Sequence, residues 1–249
     1  MSRHDDVIYV KQQGAMRTGT NLVKFALEEN FTNVRVLVNI GRWKHATAET
    51  PFNWQGIDWE GEGRSVEVFS RISREELSAF RAAFKAGVVK FAISIRNVYS
   101  WLVSYISFNR LDDTEPLPQL ADLPRERIVE ALMNWNALYR SYLPLLGREP
   151  HAMPFRLEDL LTNFSGTLDK ARHLWGLKPR HARYLRPARY LRAGIDGQSR
   201  SELLHPSRSF DRSRYSLDAH LAQFNDQLLV LIRQTVDKEV LHAYGYEIL

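Results

Sequence analysis

VIYVKQQGAMRTGTNLVKFALEEN, residues Val7 to Asn30, reads as a strand, a loop and a helix in succession. Val7–Lys11 (VIYVK) is β-branched and aromatic, the composition of a strand. Gly14–Asn21 (GAMRTGTN) is a glycine-bearing turn. In Asn21–Asn30, Leu22, Phe25, Ala26 and Glu29 follow a helical period. A strand that enters a helix through such a turn is the opening unit of a parallel α/β sheet.

The same alternation continues outward. Val34–Asn39 (VRVLVN) predicts a second strand, and Arg74–Ala86 a helix capped by Ser73 with Glu75 and Glu76 in its first turn. Val88–Ile95 (VVKFAISI) predicts a strand buried on both faces, followed by a helix over Asn97–Phe108. Asp112–Pro124, with three prolines, is a loop, and Arg125–Leu146 a long amphipathic helix whose last turn Pro144 should break. Ala152–Leu157 is a fourth strand candidate, and Ser165–Trp175 a helix ended by Gly176. Lys178–Arg214 is basic with weak periodicity, and Leu217–Tyr244 predicts one closing helix.

The expected fold is therefore α/β: a three-layer sandwich with a central parallel sheet and helices on both faces, one domain over residues 1–249. Ligands bind such sheets at the carboxyl ends of the strands. The loops after Lys11, Asn39 and Ile95 should meet there.

Composition bounds the partners. The chain has 249 residues, 44% hydrophobic and 25% charged, with a formal net charge of +5. This mild excess suits an anionic ligand and does not single out nucleic acid. There are no cysteines, so disulfides and thiolate metal sites are excluded. No stretch is apolar over the length needed to cross a bilayer, and peripheral membrane contact stays open. The short polar start leaves no room for a signal peptide, so a cytoplasmic location is expected. No His/Asp/Glu cluster has metal-ligand spacing, so no metal is expected. Oligomeric state is not legible.

Two segments carry anion chemistry. Gly14 and Gly19 let the backbone of the first loop turn and approach a ligand, and the following helix N-terminus adds amides. The spacing is that of the ATP-binding G-x-x-x-x-G-K-[ST] loop, but Thr20 stands where lysine would be, and the cation is Arg17 inside the loop. A tight turn with a solvated arginine is the alternative. In the second segment Arg96 ends the buried strand, with Ser100 and Ser104 one and two helical turns further on. Arg supplies a bidentate fork and Ser a short donor. A surface arginine and an exposed serine are the alternative.

Together these segments resemble the sulfotransferases that use 3′-phosphoadenosine 5′-phosphosulfate (PAPS). Arg17-Thr18-Gly19-Thr20-Asn21 fits that family's [KR]-[ST]-G-[ST]-[STN] loop, and FAISIRNVYSWLVSY fits its strand ending in Arg with Ser eight residues later. FRLEDLL (Phe155–Leu161) and Tyr244-Gly245-Tyr246 resemble two further family segments, in the family's order. The resemblance implies a P-loop-like sulfotransferase fold. It also implies that Thr18 to Asn21 hold the 5′-phosphosulfate with backbone and hydroxyl donors, beside the turn that Gly14 opens. Arg17 would then neutralise charge on the bridging oxygen, and Arg96 and Ser104 would hold the 3′-phosphate. Arg192 and Gly194 match the spacing of a third family segment, R-K-G-x-x-G, with Ala193 in place of its lysine. PAPS is then the co-substrate and 3′,5′-adenosine bisphosphate the product.

A hydroxyl acceptor needs its proton removed. Trp43-Lys44-His45 follows the second strand, and some sugar-modifying bacterial relatives carry a similar segment. His45, with a pKa suited to base work, is the first candidate, and Lys44 a ligand of the transferring sulfate. Glu49 and Glu60 are alternatives for the base. Trp43, Phe52, Trp54 and Trp59 suit a sugar platform or a satellite core equally, whereas Trp135 and Tyr139 read as core. The acceptor expected is a hydroxyl on a carbohydrate or glycolipid. Two other readings remain: a P-loop kinase or NTPase-like enzyme, and a non-catalytic binder of phosphorylated ligands or anionic polymers.

Overall fold

The computed structural model describes residues 6–37, 44–45, 73–108, 120, 123–147, 150–187, 189–191, 204–209 and 216–249. Val38–Asn39, most of the Gly41–Gly63 loop with Trp43, Glu49, Phe52, Trp54, Trp59 and Glu60, most of Asp112–Pro124, and Arg192 and Gly194 lie outside these residues.

Among the described residues, β1 (Ile8–Gly14), β2 (Val34–Leu37), β3 (Lys90–Ile95) and β4 (Ala152–Arg156) form one sheet in the order β2-β1-β3-β4. Every neighbouring pair is parallel. The connecting helices are α1 (Thr20–Asn30), α2 (Arg74–Lys85), α3 (Val98–Phe108), α4 (Arg125–Leu146), α5 (Leu157–Thr162) and α6 (Phe164–Trp175).

Strand alternation sends side chains to opposite faces, and each face carries its own core. Tyr9, Phe91, Ile93 and Ile95 pack with α2, α3 and α4. Val10, Val36, Ala92 and Phe155 pack with α1, α5 and α6 on the other side. The sheet is thus covered by helices on both faces, as expected. Large side chains such as Trp135, Tyr139 and Phe155 are fully buried, each worth about 1.5–3 kcal/mol.

α2 is set by a capping box in which Ser73 Oγ accepts from the Glu76 amide and Glu76 returns the bond to the Ser73 amide. Three elements depart from the sequence reading. β1 runs on through Gln12, Gln13 and Gly14, because it is an inner strand held by β2 at Ile8–Lys11 and by β3 at Val10–Gly14. Pro144 does not break α4, which continues to Leu146 because Tyr142 and Leu145 anchor the final turn in the core. The single closing helix is instead α7 (Leu217–Leu221), α8 (Asp226–Thr235) and α9 (Lys238–Ala243), since Asn225 and Asp237 cap new starts with their side chains. The basic region also contains an antiparallel pair, β5 (Arg189–Leu191) with β6 (Leu204–Ser209).

Candidate functional site

The site is built at the carboxyl ends of β1 and β3. Gly14 closes β1 opposite Ser94, with φ +145°. A Cβ there would lie 2.4 Å from the Ser94 carbonyl oxygen, so only glycine fits. Its amide donates to the Lys44 carbonyl at 3.0 Å. Its carbonyl lies 2.6 Å from His45 Nδ1. Both polar groups of one glycine thus dock the Lys44–His45 pair onto the strand end.

The loop that follows is held from above by two aromatic side chains of the core. Tyr139 Oη accepts from the Ala15 amide at 3.1 Å and donates to the Ser94 carbonyl at 2.8 Å. Trp101 Nε1 donates to the Met16 carbonyl at 2.9 Å. Burial pushes the Tyr139 phenol well up, so it stays protonated and bridges both groups. Neither role was read from the sequence. The available signal was an aromatic with a polar handle on an apolar helix face.

Arg17 sits in the left-handed region, φ 68°, where a side chain other than glycine is strained. It is exposed, and its Nε donates to Ser104 Oγ at 3.3 Å. Thr18 is fully buried and its hydroxyl donates to the loop's own Ala15 carbonyl at 2.7 Å. The Thr18 hydroxyl therefore braces the turn. Gly19, φ 82°, opens α1 with no side-chain cap on the helix amides. Gln12 Nε2 binds the Thr20 carbonyl from below. Lys44 Nζ donates to Asn21 Oδ1 at 3.1 Å.

Charge is concentrated here. Lys44 is 8% exposed, and burial, with Lys24 nearby, lowers its pKa from 10.5 to about 8. Burial also lowers His45, from 6.5 to about 4, against the hydrogen bond to Gly14 and reinforced by Lys44 and Lys11. The expectation of a histidine with an ordinary pKa is thus corrected: two buried cations and loss of water favour the neutral ring. A carbonyl only accepts, so Nδ1 carries the proton and Nε2 keeps its lone pair.

At the end of β3, Arg96 is 3% exposed. That excludes the surface-arginine alternative. Its Nη2 lies 3.4 Å from His220 Nε2, and Ser100 Oγ lies 3.2 Å from His220 Nδ1. Ser100 and Ser104 stand one turn apart on one face of α3, a rise of about 6 Å. One helix face thus carries both the Arg96 cluster and the Ser104 contact to Arg17.

The two remaining segments meet each other. Glu158 accepts from the Asn97 amide at 2.9 Å and from the Tyr246 hydroxyl at 2.6 Å. Arg156 donates to the Gly245 carbonyl at 2.9 Å and lies 4.4 Å from the Tyr246 ring centroid. The Phe155–Leu161 and Tyr244–Tyr246 stretches together brace the turn between Arg96 and α3.

Arg17, Thr18, Gly19, Thr20, Asn21, Gly14, Lys44 and His45 are therefore gathered around one strand end, with Arg96 at the adjoining one and Ser104 on the helix that follows it. Among the described residues no group of three His, Asp or Glu side chains gathers as for a metal ion, and no helix is long and apolar enough to cross a membrane.

No protein-family model matches the chain, and no curated protein sequence matches it. Among solved structures, the sulfotransferase domain of the Synechococcus PCC 7002 olefin synthase aligns over 98% of this chain and 95% of its own, at 11% identity and a TM-score of 0.47.

Proposed function

We propose that the chain is a sulfotransferase that moves a sulfuryl group from PAPS to an acceptor hydroxyl on a carbohydrate or glycolipid. The observation that carries this reading is the seating of two arginine sites, Arg17 on Ser104 and Arg96 beside Ser100, one helical turn apart on α3. That separation suits a ribose bearing phosphates at both its 3′ and 5′ positions. The ordered resemblance of the segments around Arg17, Arg96, Glu158 and Tyr246 supports the same reading.

In this reading the uncapped amides of α1, with Arg17 and Lys44, take the 5′-phosphosulfate, and Arg96 with Ser100 the 3′-phosphate; Ser104, which accepts from Arg17, keeps its own hydrogen to donate to that 3′-phosphate from one turn further on. The fit is chemical. Lys44 is a buried ammonium whose bond goes to a neutral amide, and an anion supplies the opposite charge that burial removes. At pH 7 it remains mostly protonated. The acceptor oxygen attacks sulfur while the bond from sulfur to the bridging oxygen breaks. The electron pair of that bond stays on the 5′-phosphate of the leaving 3′,5′-adenosine bisphosphate. Arg17 stabilises the charge gathering on that oxygen. The acceptor's proton goes to His45 Nε2, whose proton affinity rises once a bound anion offsets Lys44 and Lys11.

Calorimetric titration with 3′,5′-adenosine bisphosphate tests the reading. Wild type should bind it, and Arg96→Ala should weaken binding about a hundredfold. A wild-type chain that ignores this ligand but hydrolyses ATP with Mg²⁺ is an NTPase. One that ignores it and binds anionic polymers with steep salt dependence is a binding module.

A further inference from the structure

His220 comes from α7, more than a hundred residues after the strand it approaches. It is 7% exposed, packed between Arg96, 3% exposed, and Ser100, 1% exposed. None of the segments that resemble a known family contains it. An arginine N–H can only donate, so the contact at 3.4 Å makes His220 Nε2 the acceptor. In a neutral ring Nδ1 then carries the hydrogen and donates to Ser100 Oγ at 3.2 Å. With its oxygen engaged this way, Ser100 keeps its own hydrogen to donate elsewhere.

We propose that His220 is the positioning residue of the second anion site: as a neutral imidazole it fixes the Arg96 guanidinium and the Ser100 hydroxyl in the orientation that receives the nucleotide's 3′-phosphate. The proposal rests on the nucleotide reading above. Both ring nitrogens are engaged within the protein, so the imidazole holds the donors and does not itself touch the ligand.

The proton state follows from the surroundings. Arg96 faces the ring from the end of β3, Ser100 from α3, and the Ser216 carbonyl from its own segment. Burial and Arg96 lower the pKa of His220, and the Ser216 carbonyl acts weakly the other way. Protonation would put a second N–H against the guanidinium. The Arg96 contact would break, and the 3′-phosphate site would loosen at low pH.

The test compares 3′,5′-adenosine bisphosphate with 5′-AMP, which lacks the 3′-phosphate, on wild type, His220→Gln and His220→Phe, each checked for cooperative unfolding. Gln can accept from Arg96 and donate to Ser100 but does not titrate. His220→Phe is expected to lose about tenfold to a hundredfold in affinity for the bisphosphate and nothing for 5′-AMP. His220→Gln should keep most of the wild-type affinity. Between about pH 7 and pH 5 the phosphate's own ionisation, near ~6, weakens binding in all proteins. Wild type should lose more than His220→Gln as the pH falls below 6.5, the ordinary value that burial and Arg96 push His220 beneath. Equal preference for the 3′-phosphate in wild type and His220→Phe would overturn the positioning role, as would identical pH profiles for wild type and His220→Gln. Failure of wild type to prefer the bisphosphate over 5′-AMP would instead overturn the nucleotide reading itself.

Discussion

Replacing Lys44 by Met should make the protein more stable and less able to bind its anion. In the folded chain Lys44 is 8% exposed and its pKa falls from 10.5 to about 8. That fall of about 2.5 units corresponds to roughly 3 kcal/mol at 1.36 kcal/mol per unit, the free energy of keeping the ammonium charged in this setting. Methionine removes the charge and keeps the apolar stem. Against this stands one hydrogen bond to Asn21, about 1 kcal/mol. The net expectation at pH 7 is a gain of about 2 kcal/mol.

The sign with pH is fixed by linkage. Between about 8 and 10.5 the unfolded lysine holds its proton while the folded one has released it. The unfolded chain therefore binds more protons, and wild-type stability climbs with pH across that window. The advantage of Lys44→Met is full below about pH 8 and gone near 10.5. Urea unfolding of both proteins at neutral and alkaline pH reads this directly. A second readout is proton uptake: near pH 9, bound 3′,5′-adenosine bisphosphate should raise the pKa of Lys44 and draw in about one proton. Calorimetry in two buffers of different ionisation enthalpy counts it. A less stable Lys44→Met at pH 7, or a stability difference that ignores pH, would refute the reasoning.

His45→Ala is expected to lose turnover while keeping nucleotide affinity, and unchanged turnover would move the base to Glu49 or Glu60. Because burial holds His45 near 4, its ring in the nucleotide-free protein should titrate well below 6.5 when followed by NMR, and a midpoint near 6.5 would contradict the buried setting. Tyr139→Phe leaves the buried Ala15 amide without its acceptor, at about 1–3 kcal/mol, and loosens the loop, which thermal unfolding and nucleotide titration should both register. Gly14→Ala forces a methyl within 2.4 Å of the Ser94 carbonyl oxygen, and soluble, cooperatively folding protein is not expected from it.

Local pattern carried the layered architecture. The alternation of apolar strands with helical periods predicted the parallel sheet, Ser73 and Glu76 marked a helix start, and two glycines around Arg17 marked the loop. Each is a statement about neighbours in sequence. What stayed hidden depends on distant partners. Lys11-Gln12-Gln13 looks like the end of a strand because it is polar, yet Lys11 has a strand on each side and Gln12 and Gln13 stay paired with β3. The last helix divides where Asn225 and Asp237 compete for backbone amides while the apolar spacing runs on. His220 is one of eight histidines, and only the fold brings it to Arg96. Tyr139 reads correctly as core, but its hydroxyl also anchors the loop. The pKa of His45 depends on Lys11 and Lys44 sharing its surroundings, which composition does not record.

The clasp of Glu158 and Arg156 on Gly245 and Tyr246, with His220 on Arg96, bears on how the protein reaches its native state. These contacts, and that of Tyr139 with Ala15, join points separated by 88 to 124 residues along the chain. Closing such loops is slow and entropically costly, so the carboxyl end of the sheet is among the last regions to order. A ligand that requires all of them at once recognises only the finished molecule. Its presence during refolding should raise the yield of native chain without hastening the early collapse.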